Sequence, residues 1–487
     1  MKGMFNFGLL GIRRVFGGVM PPKPSIDKWV KEHMVFWYDM SKPVDTYSQN
    51  FNDWRPHSSV NADIIITSTS FVITRFATLN DTVKCYIPDQ TKNFPGMKVE
   101  VKGIVDGQEL YWGYSATVKL VNITSDGTYD IPPLETVKGN LSFRNGNIAG
   151  ACNITITQLP SGQSVPTNEI LKANPYLQDH SGNNRPLKLN NFLFAAMSGV
   201  GGYELNWTDQ SIWDRFLGSR FNGAIEPHKL TVTSALGFYN IMETKVPSYA
   251  KKFKVRVDGI VDETVAYKYI NASGTQVRFD IKEDGEYELP SNNTVEGNFN
   301  MGWSILANSY PHTCNITIEQ IPSYPNALVT DGVDDYGVVE NLQQGVKMLF
   351  MTANPLGLYK TWYVQDSFSI YGQPGVTAYN FRNTGGVTYL DGILNEAEIP
   401  NNLLNKKQTV TIVNPTDGGN NSIIFFNSYG SSYMNMVFYG SIGFDSVPTK
   451  ETDGFTEQDL ITWVIDNMIN GTPQSGVFPY VFPLKVN

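Results

Sequence analysis

Apolar and polar residues alternate along short stretches of this chain: Val99 and Val101 in KVEVKG, Phe253, Val255 and Val257 in FKVRVDG, Ile154 and Ile156 in NITITQ. A period of two sends successive side chains to opposite faces, which predicts half-buried antiparallel strands. Asp126-Gly127 and Asp284-Gly285 interrupt the runs, and such pairs supply the backbone that tight hairpins need. The pattern changes only near the end. There Thr456 and Asp459 stand as a helix N-cap and its acidic partner, and Leu460, Ile461, Val464, Ile465 and Met468 mark one helical face before Gly471.

The strand pattern is written twice. ACNITITQLPSG from Ala151 returns as TCNITIEQIPSY from Thr313, VKGIVD from Val101 as VDGIVD from Val257, SDGTYDIPP from Ser125 as EDGEYELPS from Glu283, and VKGNLSF from Val137 as VEGNFNM from Val295. The landmarks keep their order at offsets of 162, 156, 158 and 158 residues. The chain therefore holds two copies of one module of about 95 to 100 residues, near 62–160 and 229–322. Short alternating strands joined by hairpins close most simply as a small β-sandwich. Further strands are expected in SFSIYG, QTVTIVN, SIIFFNS and MNMVFYGSIGF.

Composition agrees with an all-β protein: 13% aromatic and 17% charged residues with 43 Gly and 27 Pro, which favours strands and turns over long surface helices. At 487 residues the chain is long enough for several domains. The net charge of −9 argues against nucleic acid as the body's ligand. Charge is uneven, however: residues 1–34 hold six basic and two acidic side chains, a net of +4 that leaves −13 for the rest. On helical spacing Phe5, Leu9, Ile12 and Phe16 share a face while Arg13 and Arg14 point elsewhere. This segment is expected to be a short anchor helix for a partner's groove, since Arg13 and Arg14 interrupt the apolar run that a signal peptide needs. No run reaches the roughly 18 apolar residues of a membrane span. Cys85, Cys152 and Cys314 offer no even framework and no metal-binding spacing; Cys152 and Cys314 occupy equivalent repeat positions and read as buried small side chains.

DHSGNNRPLKLNNF, ALVTDGVDDYGVV and GFTEQDLITWVIDNMI resemble, in that order, landmarks of the laminin G-like, concanavalin A-like sandwich found in proteins of gut Bacteroidetes and their phages. The opening MKGMFNFGLLGIRRVFGG and DKWVKEHMVFWYD resembles the start of fibre or appendage proteins of crAss-like tailed phages. The resemblance implies a jelly-roll sandwich over 161–228 and 323–487 with the second module inserted, an anchor segment over 1–34, and a lead-in linker or strand over 35–61. It also implies a virion structural protein, assembled in the host cytoplasm, which anchors to capsid or tail proteins and is commonly trimeric. A bacterial surface or secreted lectin is the alternative.

Catalytic chemistry has little to stand on in the sequence. Glycosidases of this fold class carry paired carboxylates, and no E-x-D-x-x-E run occurs; the histidines His33, His57, His180, His228 and His312 are scattered. No enzyme and no cofactor are expected. Asp331, Asp334 and Asp335 in TDGVDDYG read first as a turn, and clustered carboxylates keep Ca²⁺ open as a ligand. For host-surface polysaccharide the candidate contacts are Trp112, Tyr114, Trp207, Trp213 and Trp303, with Tyr111 and Tyr239 as further aromatics and NFRNTGG and TDGGNN as polar loops. An aromatic near a strand is more often core than platform, so their exposure decides.

Overall fold

The computed structural model describes residues 25–470 except 50, 52–53, 57–62, 68, 79–80, 85–92, 116, 138–140, 149, 245–251, 292–301, 340–341, 343–344, 357–360, 366–367, 373–377, 383–386, 396–397, 401–406, 414–422, 429–431 and 434. It is an all-β protein with three short α-helices among those residues: α1 (Ile26–His33), α2 (Asn168–Ala173) and α3 (Glu457–Val464). The expected anchor residues Phe5, Leu9, Ile12, Arg13, Arg14 and Phe16 lie outside the described residues, as do Cys85 and much of the two polar loops.

Two sheets of eight strands form a framework sandwich. The first runs Gly199–Gly201, Tyr324–Asp331, Asn435–Phe444, Met348–Pro355, Gln408–Val413, Val387–Leu390, Ile393–Asn395, and the opening strand Met34–Asp39 also pairs with Asn435–Phe444. The second runs Tyr176–Leu177, Leu187–Asn190, Tyr336–Val339, Ile423–Phe425, Thr361–Gln365, Phe368–Gly372, Ala378–Arg382, Glu398–Pro400. Between them pack Phe36, Tyr38, Leu349, Met351, Phe425 and Phe438. The outer face of the first sheet is covered by α1 and α3, which bury Trp29, Val30, Leu460, Ile461 and Val464 against Phe350 and Phe444. Thr456 and Asp459 make the expected capping box, and the helix continues through one π-helical turn, Ile465–Ile469.

The opening strand belongs to this framework. One edge of Asn435–Phe444 is taken by Met348–Pro355, and the other is shared end to end by Tyr324–Asp331, opposite residues 435–438, and Met34–Asp39, opposite 440–444. Gly440 and Gly443 make the close approach feasible: a Cβ on Gly440 would sit 2.5 Å from the Tyr38 carbonyl oxygen, and one on Gly443 2.7 Å from the Phe36 ring. The DHSGN landmark clamps the same strand. Asp179 accepts from the backbone N–H of Trp37 (2.9 Å), Asn183 Nδ2 donates to the carbonyls of Met34 and Val35 (2.7 and 3.2 Å), and Tyr38 donates its hydroxyl to the Arg185 carbonyl (2.6 Å). Asp179 is buried, so these donors take the place of water around its carboxylate. Both modules are thus flanked on each side by framework segments.

The modules share one topology of two five-stranded sheets. In the first, Asp63–Ile66, Ser70–Phe76, Gly150–Leu159, Met97–Lys102 and Gly127–Ile131 face Arg55–Pro56, Thr82–Lys84, Ser142–Asn145, Leu110–Ser115 and Val118–Ile123. In the second, Phe221–Ile225, Lys229–Ala235, His312–Ile321, Phe253–Asp258 and Gly285–Leu289 face Trp213–Arg215, Asn240–Thr244, Gly302–Leu306, Thr264–Ile270 and Gln276–Ile281. Each module therefore starts a strand or two before the boundary its landmarks suggest.

Contacts between landmarks explain why the same letters return. Gly103 and Gly259 both have positive φ (92° and 91°), and a Cβ on either would lie within about 2 Å of a carbonyl oxygen, that of Asn153 or Asn315. Asp126 and Asp284 at the hairpin turns accept from the backbone N–H of Ile104 and Ile260 (2.7 and 2.8 Å), and Tyr129 and Tyr287 donate to the carbonyls of Ser125 and Glu283 (both 2.7 Å). At the other end of the doubled strand, buried Gln158 and Gln320 hold the incoming chain: their side-chain Nε2 groups donate to the carbonyls of Gln49 and Leu205 (3.3 and 2.8 Å). Cys152 and Cys314 are free thiols at matching places, directed at the carbonyls of Ile73 and Val232. Gly259→Ala should cost about 3 kcal/mol, combining a left-handed backbone with a backbone overlap, and Gly103→Ala about the same in the first module. Urea unfolding checks both, and a loss below about 1 kcal/mol at either glycine would contradict the close-approach account.

Candidate functional site

Four of the five expected glycan contacts are core residues. Trp112, Trp207 and Trp303 are 0% exposed and Trp213 1%, while Tyr114 is half-buried against the first module's core. Trp112, Trp213 and Trp303 stand on strands that face the module cores, and Trp207 packs into the second core from the turn before Trp213–Arg215. Trp112 lies opposite Phe143 across the strand pair, with ring centroids 4.7 Å apart; in the second module the same pair is Tyr267 and Trp303 at 5.0 Å. The tryptophan has changed strands while the combined ring volume is kept, as a close-packed core requires. These indoles build the module cores.

Asp331, Asp334 and Asp335 do converge, with one ligand atom from each inside a 4.8 Å group. Their bonds describe a pinned turn. Asp335 is fully buried and accepts from the Ser198 hydroxyl (3.0 Å) and the Asp331 N–H (2.9 Å), and Asp331 accepts from the Val333 N–H (2.7 Å). Burial, with the neighbouring Asp331 and Asp334 charges, pushes the Asp335 carboxyl up to about 7. A second group, Asp262, Glu263 and His312, meets in the second module. His312 Nε2 lies 2.7 Å from Glu263, whose other oxygen accepts from the N–H groups of Val261 and Asp262. In the first module Gln108 caps the corresponding turn through Val105 N–H (3.1 Å), so Glu263 also does a turn's work.

Two features that the sequence reading did not single out carry more information. One is the joint between framework and second module. Asn168 on α2 imitates a strand: its Oδ1 accepts from Val200 N–H (2.7 Å) and its Nδ2 donates to the Val200 carbonyl (3.1 Å) and faces His228 Nε2 at 3.3 Å. His228 is buried and stacked on Tyr203, with centroids 3.6 Å apart and planes 6° from parallel. Beside them lies a cavity of about 310 Å³ lined in part by Thr167, Glu169, Glu226, Lys229 and Glu319. Burial, acting against the Leu205 backbone and Glu169, pushes His228 down to about 4; burial likewise pushes His180, beside the Asp179 clamp, down to about 4.

The other feature is the far end of the second module. Strand Lys229–Ala235 leaves the joint and ends about 20 Å away at 3.3 Å per residue. There the loops 216–220 and 236–239 adjoin, since Leu236 N–H donates to the Arg220 carbonyl (2.9 Å). Phe238 is 63% exposed, Tyr239 62% and Leu217 53%. The Arg220 guanidinium lies 3.5 Å from the Phe216 ring centroid and 5.6 Å from that of Tyr239, and its Nη1 donates to Glu243 and to the Asn240 carbonyl (both 3.1 Å). Of the sequence candidates only Tyr239, read there as one aromatic among several, falls in this group. Neither protein-family models nor curated proteins match the chain.

The two histidines set a pH dependence. Their ordinary value near 6.5 holds when unfolded, so between pH 6.5 and 4 the unfolded chain takes up protons that the folded one refuses. Stability from this source is complete above 6.5 and is lost as pH falls towards 4, by about 3 kcal/mol per histidine. Asp335 acts in the opposite sense, its contribution fading as pH rises towards 7. The histidine share is read from the difference between wild type and His228→Gln: the variant should show a shallower loss of urea stability from pH 6.5 to 4, and an identical slope would contradict the assignment.

Proposed function

We propose that this chain is a non-enzymatic structural protein of a phage particle, a head fibre, tail appendage or decoration subunit. Residues 1–18 anchor it to capsid or tail proteins, and the framework carries two β-sandwich modules outward for adhesion to host-surface polysaccharide. The observation that carries this reading is the architecture: one framework sandwich, closed by its first and last strands, with two modules of the same topology spliced into it. That plan duplicates surface and reach, and the exposed aromatic end of the second module lies away from its joint. A trimer would multiply weak contacts into avidity. The same exposed end suits a bacterial surface or secreted lectin, which differs in its N-terminus: cleavage or lipidation near Gly18 in the mature protein would mark the lectin.

No helix of the described residues is long and apolar enough to cross a membrane. Deleting residues 1–18 should leave thermal unfolding of the body unchanged and reduce incorporation into particles to background, measured by co-sedimentation with assembled virions. Wild-type incorporation of the truncated chain would overturn the anchoring role.

A further inference from the structure

We infer that the far end of the second module is a binding face for neutral polysaccharide, with Phe238 and Tyr239 as the stacking platform and Arg220 and Glu243 as the polar groups beside it. The inference deepens the adhesion part of the proposed function and rests on it.

A pyranose ring offers an apolar C–H face bounded by hydroxyl groups. Its receptor therefore needs an exposed aromatic face next to fixed donors and acceptors. The loops 216–220 and 236–239 provide this combination. The Tyr239 ring folds back over Gly237, where a Cβ would sit 2.8 Å from the ring. Phe216 and Arg220 stack, and Arg220 is held by Glu243 and the Asn240 carbonyl. Arg220, Phe216 and Tyr239 are thus held by one another before any ligand arrives, which lowers the entropic cost of binding. Charge selects the ligand class: Glu243 offsets Arg220 at 3.1 Å, and Asp262 and Glu263 lie towards the same end through His312, which pairs with Ala235. Among the described residues Glu243, Asp262 and Glu263 outnumber Arg215 and Arg220 there, which disfavours an acidic polymer.

Comparison of the two copies supports a dedicated role. Strands Thr82–Lys84 and Asn240–Thr244 follow corresponding loops, and Phe238-Tyr239 stand where the first module has Leu79-Asn80. In the first module Asp81 ties that loop back to Thr78 (2.6 and 2.7 Å); in the second the tie is gone and the rings face solvent. A protein partner fits less well. Three partly exposed apolar side chains supply on the order of 400 Å², short of the roughly 800 Å² per partner of a stable interface.

The test uses the full chain without particles, so that failure here is separate from failure of anchoring. Native gels cast with mixed-linkage β-glucan, xylan or galactomannan, and with polygalacturonate as the acidic control, measure retardation. At least one neutral polymer should retard the wild type; Phe238→Ala and Tyr239→Ala should each weaken that affinity at least about tenfold, with unfolding temperatures unchanged, and Tyr239→Phe should retain it. No retardation by any neutral polymer, retardation only by polygalacturonate, or retardation unaltered in the double alanine variant would overturn the inference. So would wild-type self-association in sedimentation that the same substitutions abolish without any polymer effect, which would assign the face to a second copy of the chain.

Discussion

The pairing of the first described strand with the last described one is the constraint on which the remaining architecture hangs. Residues 34–39 lie along 440–444, and His33 and Asp445 extend the contact by a ring-to-carboxylate bond of 2.9 Å across 412 positions of sequence. Closing so long a loop carries a large entropic cost, and several local devices offset it. Gly440 and Gly443 leave room for the incoming strand, α1 and α3 cover its outer face, and the buried Asp179 carboxylate with Asn183 replaces the partner that its other edge lacks. Because both ends of each module return to this framework, a module can diverge at its far end without disturbing the sandwich that carries it.

The doubled strand is the internal counterpart of that closure. Its Asn carbonyl lies against a left-handed glycine, its cysteine faces a neighbouring strand's carbonyl, and its glutamine holds the chain where it enters the module. These contacts are made to backbone groups, and few side chains can substitute for a glycine at φ near 90° or for an amide that donates to the entering chain. Core positions are under looser control, as the exchange of Trp112 and Phe143 for Tyr267 and Trp303 shows. Loop ends are looser still, and the two modules differ there in chemistry.

Legibility in the sequence followed the same division. The repeated modules, their hairpin turns and the C-terminal helix with its Thr456 cap were readable, because period-two alternation, Asp-Gly turns and capping boxes are local signals. The opening strand was not: MVFWYD is covered on both faces and shows no alternation, and its partner lies at the opposite end of the chain. Exposure was equally invisible, since an indole in a core and an indole on a platform are written alike: Trp112, Trp207, Trp213 and Trp303 are buried, while Phe238 and Tyr239 face solvent. A usable signal existed between two matched strands, where Phe238-Tyr239 stand in the place of Leu79-Asn80. The joint at Asn168 and His228 had none, because an amide imitating a strand depends on a neighbour 32 residues away.

The central claim is that the framework is one cooperative unit, closed by its terminal strands, with the modules as separate insertions. Native-state hydrogen exchange tests it most directly when wild type is compared with Gly103→Ala. The account predicts that amides of 34–39 share the opening free energy of 348–355 and 435–444 and keep it when the first module is weakened. Loss of protection in 34–39 together with the first module, while 435–444 stays protected, would contradict it.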